Sequence, residues 1–149
     1  MTVEPSRPAK PARSRKPQPS GLPARTRPAE PSPDRKEALA AARRAVELAT
    51  DKKAADIVLL EVADLTSVAD YFVICSGGSE RQLGAVADGI VEGLKKDGVP
   101  LFAREGGSGS HWLLLDFGAV IVHVMAPTER DYYQLERLWS QAPLLLRVQ

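Results

Sequence analysis

From Asp34 onward, apolar residues fall into runs with two different spacings. Leu39, Ala42, Val46 and Ala49 recur at helical intervals behind Asp34 and Glu37, a capping-box pair, and predict a helix over about 35–50. Ile57–Val62 and Tyr71–Cys75 are short runs rich in β-branched residues and predict two strands. Ser76-Gly77-Gly78-Ser79 punctuates the second strand, and Ser79 with Gln82 forms another capping box. Behind it, Leu83, Val86, Ala87, Ile90 and Leu94 form one helical stripe that ends near Asp97, before a helix-terminating Gly98. Pro100–Arg104 predicts a short edge strand and Glu105–Ser110 a polar glycine loop. His111–Asp116 and Ala119–Val124 predict a hairpin across Asp116-Phe117-Gly118, a three-residue loop with glycine last. Pro127 and the capping residue Thr128 open a final helix with the stripe Tyr132, Leu135 and Trp139. The order α-β-β-α-(β)-β-β-α predicts an α/β (α+β) domain: four to five strands in one layer, with three helices.

The first residues read differently. Seven of the chain's 20 Lys and Arg but only two of its 19 Asp and Glu lie in residues 1–33, with nine of the 12 prolines. Val3 and Leu22 are the only large aliphatics there, too few to offset the entropy of ordering. Residues 1–33 therefore predict a disordered basic Pro-rich arm, residues 34–141 the globular domain and residues 142–149 a C-terminal tail. The arm reads either as a solvated linker or as a tether for polyanions such as RNA. Residues 34–149 keep 13 bases and 17 acids, so the domain does not hold nucleic acid by bulk charge. A single cysteine, Cys75, excludes a disulfide scaffold and a multi-thiolate zinc site. No apolar run reaches the roughly 18 residues of a membrane span, and the N-terminus carries no apolar signal core. The expectation is a soluble cytoplasmic protein with no membrane partner.

Four features bear on chemistry. A strand, a glycine turn and a helix start at Ser76–Ser79 could seat a phosphate on free backbone N–H groups. That turn resembles the opening of a nucleotidyltransferase site, so a nucleotide-binding or nucleotidyl-transferring enzyme is the rival reading. Such enzymes hold their metal ions with two carboxylates one residue apart, whereas Glu80, Asp88, Glu92 and Asp97 form no such pair. Secondly, a hairpin centred on Phe117 places His111 opposite His123, a pair that lacks a third metal ligand. No metal or other cofactor is expected. Thirdly, Cys75 ends an apolar strand and reads as a structural thiol. Fourthly, both hairpin faces are apolar: Trp112, Leu114, Val120, Val122 and Val124 on one, Leu113, Leu115, Ala119 and Ile121 on the other. With Tyr133, Arg130 and Arg137 on the last helix, the composition suits either a protein-docking patch or an internal core.

These residues also carry a family resemblance. Asp56-Ile57-Val58, Ala69-Asp70-Tyr71-Phe72-Val73-Ile74-Cys75-Ser76-Gly77, Ser79-x-Arg81-Gln82 and Ala87-Asp88 resemble the first half of the ribosomal silencing factor (RsfS, Iojap-like) family. Trp112-Leu113-Leu114-Leu115-Asp116-Phe117-Gly118, Val122-His123-Val124-Met125 and Arg130-x-x-Tyr133-x-Leu135-Glu136-x-Leu138-Trp139 resemble its second half. The match runs in order from Arg35 to Trp139, with Gly78 as a departure where a larger polar residue is usual. The resemblance implies a mixed β-sheet flanked by helices, nucleotidyltransferase-like without the catalytic carboxylates. It implies a non-enzymatic factor that binds the large ribosomal subunit through a ribosomal protein of the inter-subunit face. That factor blocks subunit joining, represses translation under nutrient limitation and bears on large-subunit assembly. The contact surface implied comprises Trp112, Leu114, Asp116, His123, Met125, Arg130, Tyr133 and Arg137. The arm inherits nothing from the family; weak rRNA contact through it, and a homodimer, are compatible with this reading.

Overall fold

The least polar strands of the chain lie at the centre of the sheet. A computed structural model describes residues 33–107 and 109–149, so the expected arm, apart from Pro33, lies outside the described residues. The elements are α1 (Pro33–Asp51), β1 (Ala55–Glu61), β2 (Tyr71–Ser76), α2 (Glu80–Lys96), β3 (Ala103–Glu105), β4 (Trp112–Asp116), β5 (Val120–Met125), α3 (Pro127–Tyr133), α4 (Leu135–Leu138) and β6 (Leu144–Val148). They build one six-stranded sheet in the order β3-β4-β5-β2-β1-β6. β2 and β5 run parallel in the middle, and every other neighbouring pair is antiparallel. The mixed α/β class is as expected, with more strands than the four to five read from the pattern.

Period-two alternation sorts the sheet's side chains between two cores. Ile57, Leu59, Tyr71, Val73, Cys75, Leu113, Leu115, Val120, Val122 and Val124 face α1 and α2. Val58, Leu60, Phe72, Ile74, Ile121 and Met125 face the other way, towards Leu135 of α4. The predicted stripe of α2 is buried in full, and Ser79 Oγ accepts the Gln82 N–H at 3.0 Å as an N-cap. In α1, the buried apolar residues are Ala38, Ala41, Ala42, Ala45, Val46 and Ala49, whereas Leu39 of the predicted stripe is only half-buried. An alanine-rich stripe lets α1 lie close to the sheet and to α2.

Residues 142–149, expected as a tail, instead carry an edge strand. Leu144, Leu146 and Val148 pair with Leu60, Leu59 and Ile57, and the Glu61 N–H donates to Pro143 O at 2.9 Å. An Arg35–Glu61 ion pair ties the start of α1 to the same corner. The strand's partner lies more than 80 residues away in sequence, and no local pattern encodes that pairing.

Two glycines of α2 test the close helix packing. A Cβ on Gly93 would come within 2.5 Å of Leu48 Cδ2 and 3.1 Å of its Cγ, whereas one on Gly84 meets nothing within 4 Å. Gly84→Ala should therefore gain helix propensity alone, about 0.5–1 kcal/mol. Gly93→Ala should lose more by displacing Leu48 than it gains, a net destabilisation of about 1 kcal/mol. Urea unfolding of the two variants should show midpoints moving in opposite directions.

Candidate functional site

The β4–β5 hairpin sets the site through its register. Trp112 pairs with Met125, Leu114 with His123 and Asp116 with Ile121, which puts all six on the face turned away from α1 and α2. The predicted register is three residues off, an odd number, so the predicted faces are mixed and His111 does not oppose His123. The cause is a tighter bend. Phe117 N–H donates to Val120 O at 2.9 Å, leaving a two-residue loop that begins with Gly118 at φ +91°. Asp116 Oδ1 accepts the Gly118 N–H at 2.8 Å and fastens the bend. His111 ends up exposed before β4, its Nδ1 3.4 Å from Glu129 Oε2. Among the described residues, no group of three or more His, Cys, Asp or Glu could hold a metal ion.

The predicted final helix is broken. Pro127 starts α3 behind Ala126, and Thr128 is not its cap. Gln134 then takes a left-handed conformation, φ 49°, and α4 restarts behind it. The break rotates the expected stripe. Tyr132 is 79% exposed, while Tyr133 turns onto Trp112 with ring centroids 4.8 Å apart. Leu135 remains in the core, and Trp139 meets Phe72 edge-on at 5.1 Å. Phe72 in turn meets His123 at 5.1 Å, and His123 meets Trp112 at 5.8 Å. One continuous aromatic stack therefore runs from the sheet interior to the surface.

Polar groups brace this stack. The Trp112 indole N–H donates to His123 Nδ1 at 3.1 Å. His123 is buried, and burial drives its pKa down to about 4 although the charge of Glu136 pulls it upward. The imidazole is thus neutral near pH 7 and its Nδ1 is an acceptor. Arg130, also buried, donates through Nη1 to Ser76 Oγ at 2.9 Å and through Nε and Nη2 to Glu136 Oε2 at 3.0 and 2.7 Å. Burial alone would raise the Glu136 pKa, but the hydrogen bond and charge of Arg130, with the charge of Arg147, hold it below the usual carboxylate range. The pair spans the break at Gln134; six residues apart in an unbroken helix, the two side chains would diverge.

The structure thus divides the expected contact residues in two. Trp112, Leu114, Asp116 and Tyr133 are half-buried and Arg137 is exposed, so a partner can touch them. His123, Met125 and Arg130 are buried and shape the face from beneath. Sequence reasoning missed Tyr132 and Leu138, exposed at 79% and 72% on α3 and α4. They flank the left-handed Gln134, and glutamine is not a recognised helix breaker.

The other candidates carry less chemistry. Around the Ser76–Ser79 turn several amides are already used. Gly77 N–H donates to Met125 O, Gly78 N–H to Gln82 Oε1 at 2.7 Å, and the Gln82 N–H to Ser79 Oγ. The Gln82 side-chain amide reaches back to Lys53 O at 3.0 Å, tying the turn after α1 to α2. A phosphate arriving here would have to displace these bonds. Cys75 is buried and its pKa is pushed up to about 12 by burial, which suppresses the nucleophilic thiolate. A cleft of about 460 Å³ lies beside the turn, lined by Ser76, Arg130, Arg137, Arg147, Asp56, Asp131 and Glu136 among others; its charges are mixed in sign.

Below pH 6.5 the unfolded chain takes up a proton at residue 123 that the folded chain refuses until about pH 4. Stability is therefore complete above that window and falls as the pH drops through it, by at most roughly 3 kcal/mol. Glu136, depressed by Arg130, adds a loss of the same sign at lower pH. Urea unfolding across pH 4–8 should show this decline, and His123→Asn should flatten its upper part.

Comparison with known proteins places this architecture. Residues 35–148 match the family model described as ribosomal silencing factor during starvation, RsfS. The chain is 44% identical over 94 residues to ribosomal silencing factor RsfS of Bacillus subtilis, covering 63% of this chain and 80% of that protein. It is 38% identical over 98 residues to mouse mitochondrial assembly of ribosomal large subunit protein 1, covering 64% of this chain and 43% of that protein. A crystal structure of a Chromobacterium violaceum protein superposes with a TM-score of 0.67 at 38% identity, covering 68% of this chain and 85% of that one.

Proposed function

This chain belongs to the ribosomal silencing factor family, and from that premise we propose that it binds the large ribosomal subunit through a protein of the inter-subunit face. Bound there, it stands in the path of the small subunit, blocks joining and represses translation under nutrient limitation. The same grip on the large subunit serves its late assembly. The work is steric occlusion in the cytoplasm, with no bond made or broken.

One observation carries the reading: the half-covered aromatic face of β4 and α3. Trp112, Leu114 and Tyr133 present apolar area, and Asp116 and Arg137 supply charges for specific pairs. Half-buried aromatics surrounded by polar groups form the usual composition of a binding hot spot. The groups beneath them are a neutral imidazole and a closed Arg130–Glu136 pair, which suit a rigid support better than acid–base work. The rival enzyme reading loses support because the Gly77, Gly78 and Gln82 N–H groups at the Ser76–Ser79 turn are already bonded within the chain.

Tyr133→Ala and Trp112→Ala should stay folded by circular dichroism and lose large-subunit cosedimentation by about thirtyfold or more in Kd, the cost of truncating a hot-spot aromatic. Variants that bind as the parent does would remove the docking face from this account. Calorimetric titration with nucleoside triphosphates and magnesium should give no binding heat.

The basic arm adds a second, electrostatic term. Deleting residues 1–33 should leave specific binding in place, weaken it at low salt and flatten its salt dependence. Each phosphate that the arm neutralises adds roughly 0.7–0.9 to the logarithmic salt slope. Subunit binding by full-length and shortened chains across a salt series measures this, and coincident slopes would mean that the arm touches no phosphate.

A further inference from the structure

We propose that His123 is the positioning residue of the docking face, its Nδ1 holding the Trp112 indole in the orientation that a partner meets. The inference rests on the docking-face reading and adds to it how that face is preformed.

The geometry is a clamp. Trp112 lies between His123, 5.8 Å away with rings inclined at 48°, and Tyr133, 4.8 Å away at 51°. Ring packing alone leaves an indole free to flip about its second side-chain torsion. A single N–H donor meeting a single acceptor selects one flip. The 3.1 Å bond from Trp112 Nε1 to His123 Nδ1 is that selection. The acceptor is itself immobilised, since Phe72 stands edge-on to the imidazole at 5.1 Å and Trp139 edge-on to Phe72 at 5.1 Å.

The alternative is that His123 merely fills space, and its other nitrogen argues against that. Nε2 is buried and finds no hydrogen-bond partner among the described residues. A buried donor without a partner is unfavourable, and a leucine of similar volume would fill the same site without one. What imidazole offers here that leucine lacks is the acceptor for Trp112. His123 also sits on β5 opposite Leu114 and two pairs from Trp112 on the same face, so it reaches the indole from within the sheet, where backbone pairing fixes its place.

The test uses the full chain and two readouts, the indole N–H resonance by 1H–15N NMR and cosedimentation with large ribosomal subunits. The chain has two tryptophans, and Trp112→Phe assigns their signals. In His123→Leu the Trp112 indole resonance should move upfield and exchange faster with solvent, and subunit binding should weaken about tenfold as the face loses preorganisation. His123→Asn, whose side-chain oxygen can replace Nδ1, should recover both. Trp112→Phe keeps the aromatic area without the N–H and should also bind about tenfold more weakly; it serves equally if His123→Leu fails to fold. An unmoved indole in folded His123→Leu overturns the proposal, as does parent-like binding by Trp112→Phe. If Trp112→Ala loses binding while His123→Leu binds like the parent, the docking face stands and the positioning role falls. If Trp112→Ala itself binds like the parent, the docking-face reading fails, and this inference with it.

Discussion

Everything in this fold follows from burying a parallel pair of strands on both faces. Each residue of β2 and β5 is buried, and the two strands pair in register from Tyr71 with Val120 to Ser76 with Met125. Parallel strands need a long crossover between them, and here it is α2 followed by β3 and β4. The crossover puts α2, with α1 beside it, on one face. The other face must still be covered, because Phe72, Ile74, Ile121 and Met125 cannot be left in water. Among the described residues, the short segment after β5 takes that task. A broken helix does it incompletely, and the uncovered remainder is the aromatic face of β4. The candidate docking surface is thus what remains when a sheet with two apolar faces has one full layer of helix and half of another.

The break at Gln134 decides how that half-layer sits. A left-handed glutamine is disfavoured locally. Three tertiary contacts oppose the cost: Tyr133 against Trp112, Leu135 in the core, and Arg130 joined to both Glu136 and Ser76. An unbroken helix could satisfy the first two only by turning Tyr132 or Leu138 inward, and it would separate Arg130 from Glu136. The contact at Ser76, the last residue of β2, anchors the whole turn to the central pair of strands.

This explains which parts of the molecule were legible in the sequence. α2 and its stripe were readable to the residue, because period, cap and terminator all lie within about twenty positions and agree. β1 and β2 were readable as runs. The hairpin register was not: closure at Phe117–Val120 rather than at Leu115–Ala119 shifts every pair, and both faces are apolar, so the pattern does not discriminate. β6 stayed hidden because an edge strand takes its register from a distant partner. The helix break stayed hidden because its causes are Trp112 and Ser76, far away in sequence. Of the eight expected contact residues, all lie on or directly under one face or its covering helices. The resemblance named these residues, and only burial separates the accessible Trp112, Leu114, Asp116, Tyr133 and Arg137 from the buried His123, Met125 and Arg130.

The proposed steric action carries a particular requirement for a factor that works by occupying space. It gains nothing from chemistry at its surface, so its effectiveness depends on affinity and on holding one shape while bound. Affinity for a given contact area rises when the contact is formed before binding, because side chains already fixed lose no further entropy. In this chain, the fixing is built inward from the surface: Tyr133 on Trp112, Trp112 on His123, His123 on Phe72, Phe72 on Trp139. Burial that strips His123 of its charge also keeps Nδ1 available as an acceptor, so the low pKa is consistent with the proposed support role. Strongly shifted groups often mark active sites. Here burial in the doubly buried strands lowers the His123 pKa and raises that of Cys75, whereas Glu136 is depressed against its own burial by the Arg130 pair that closes over them.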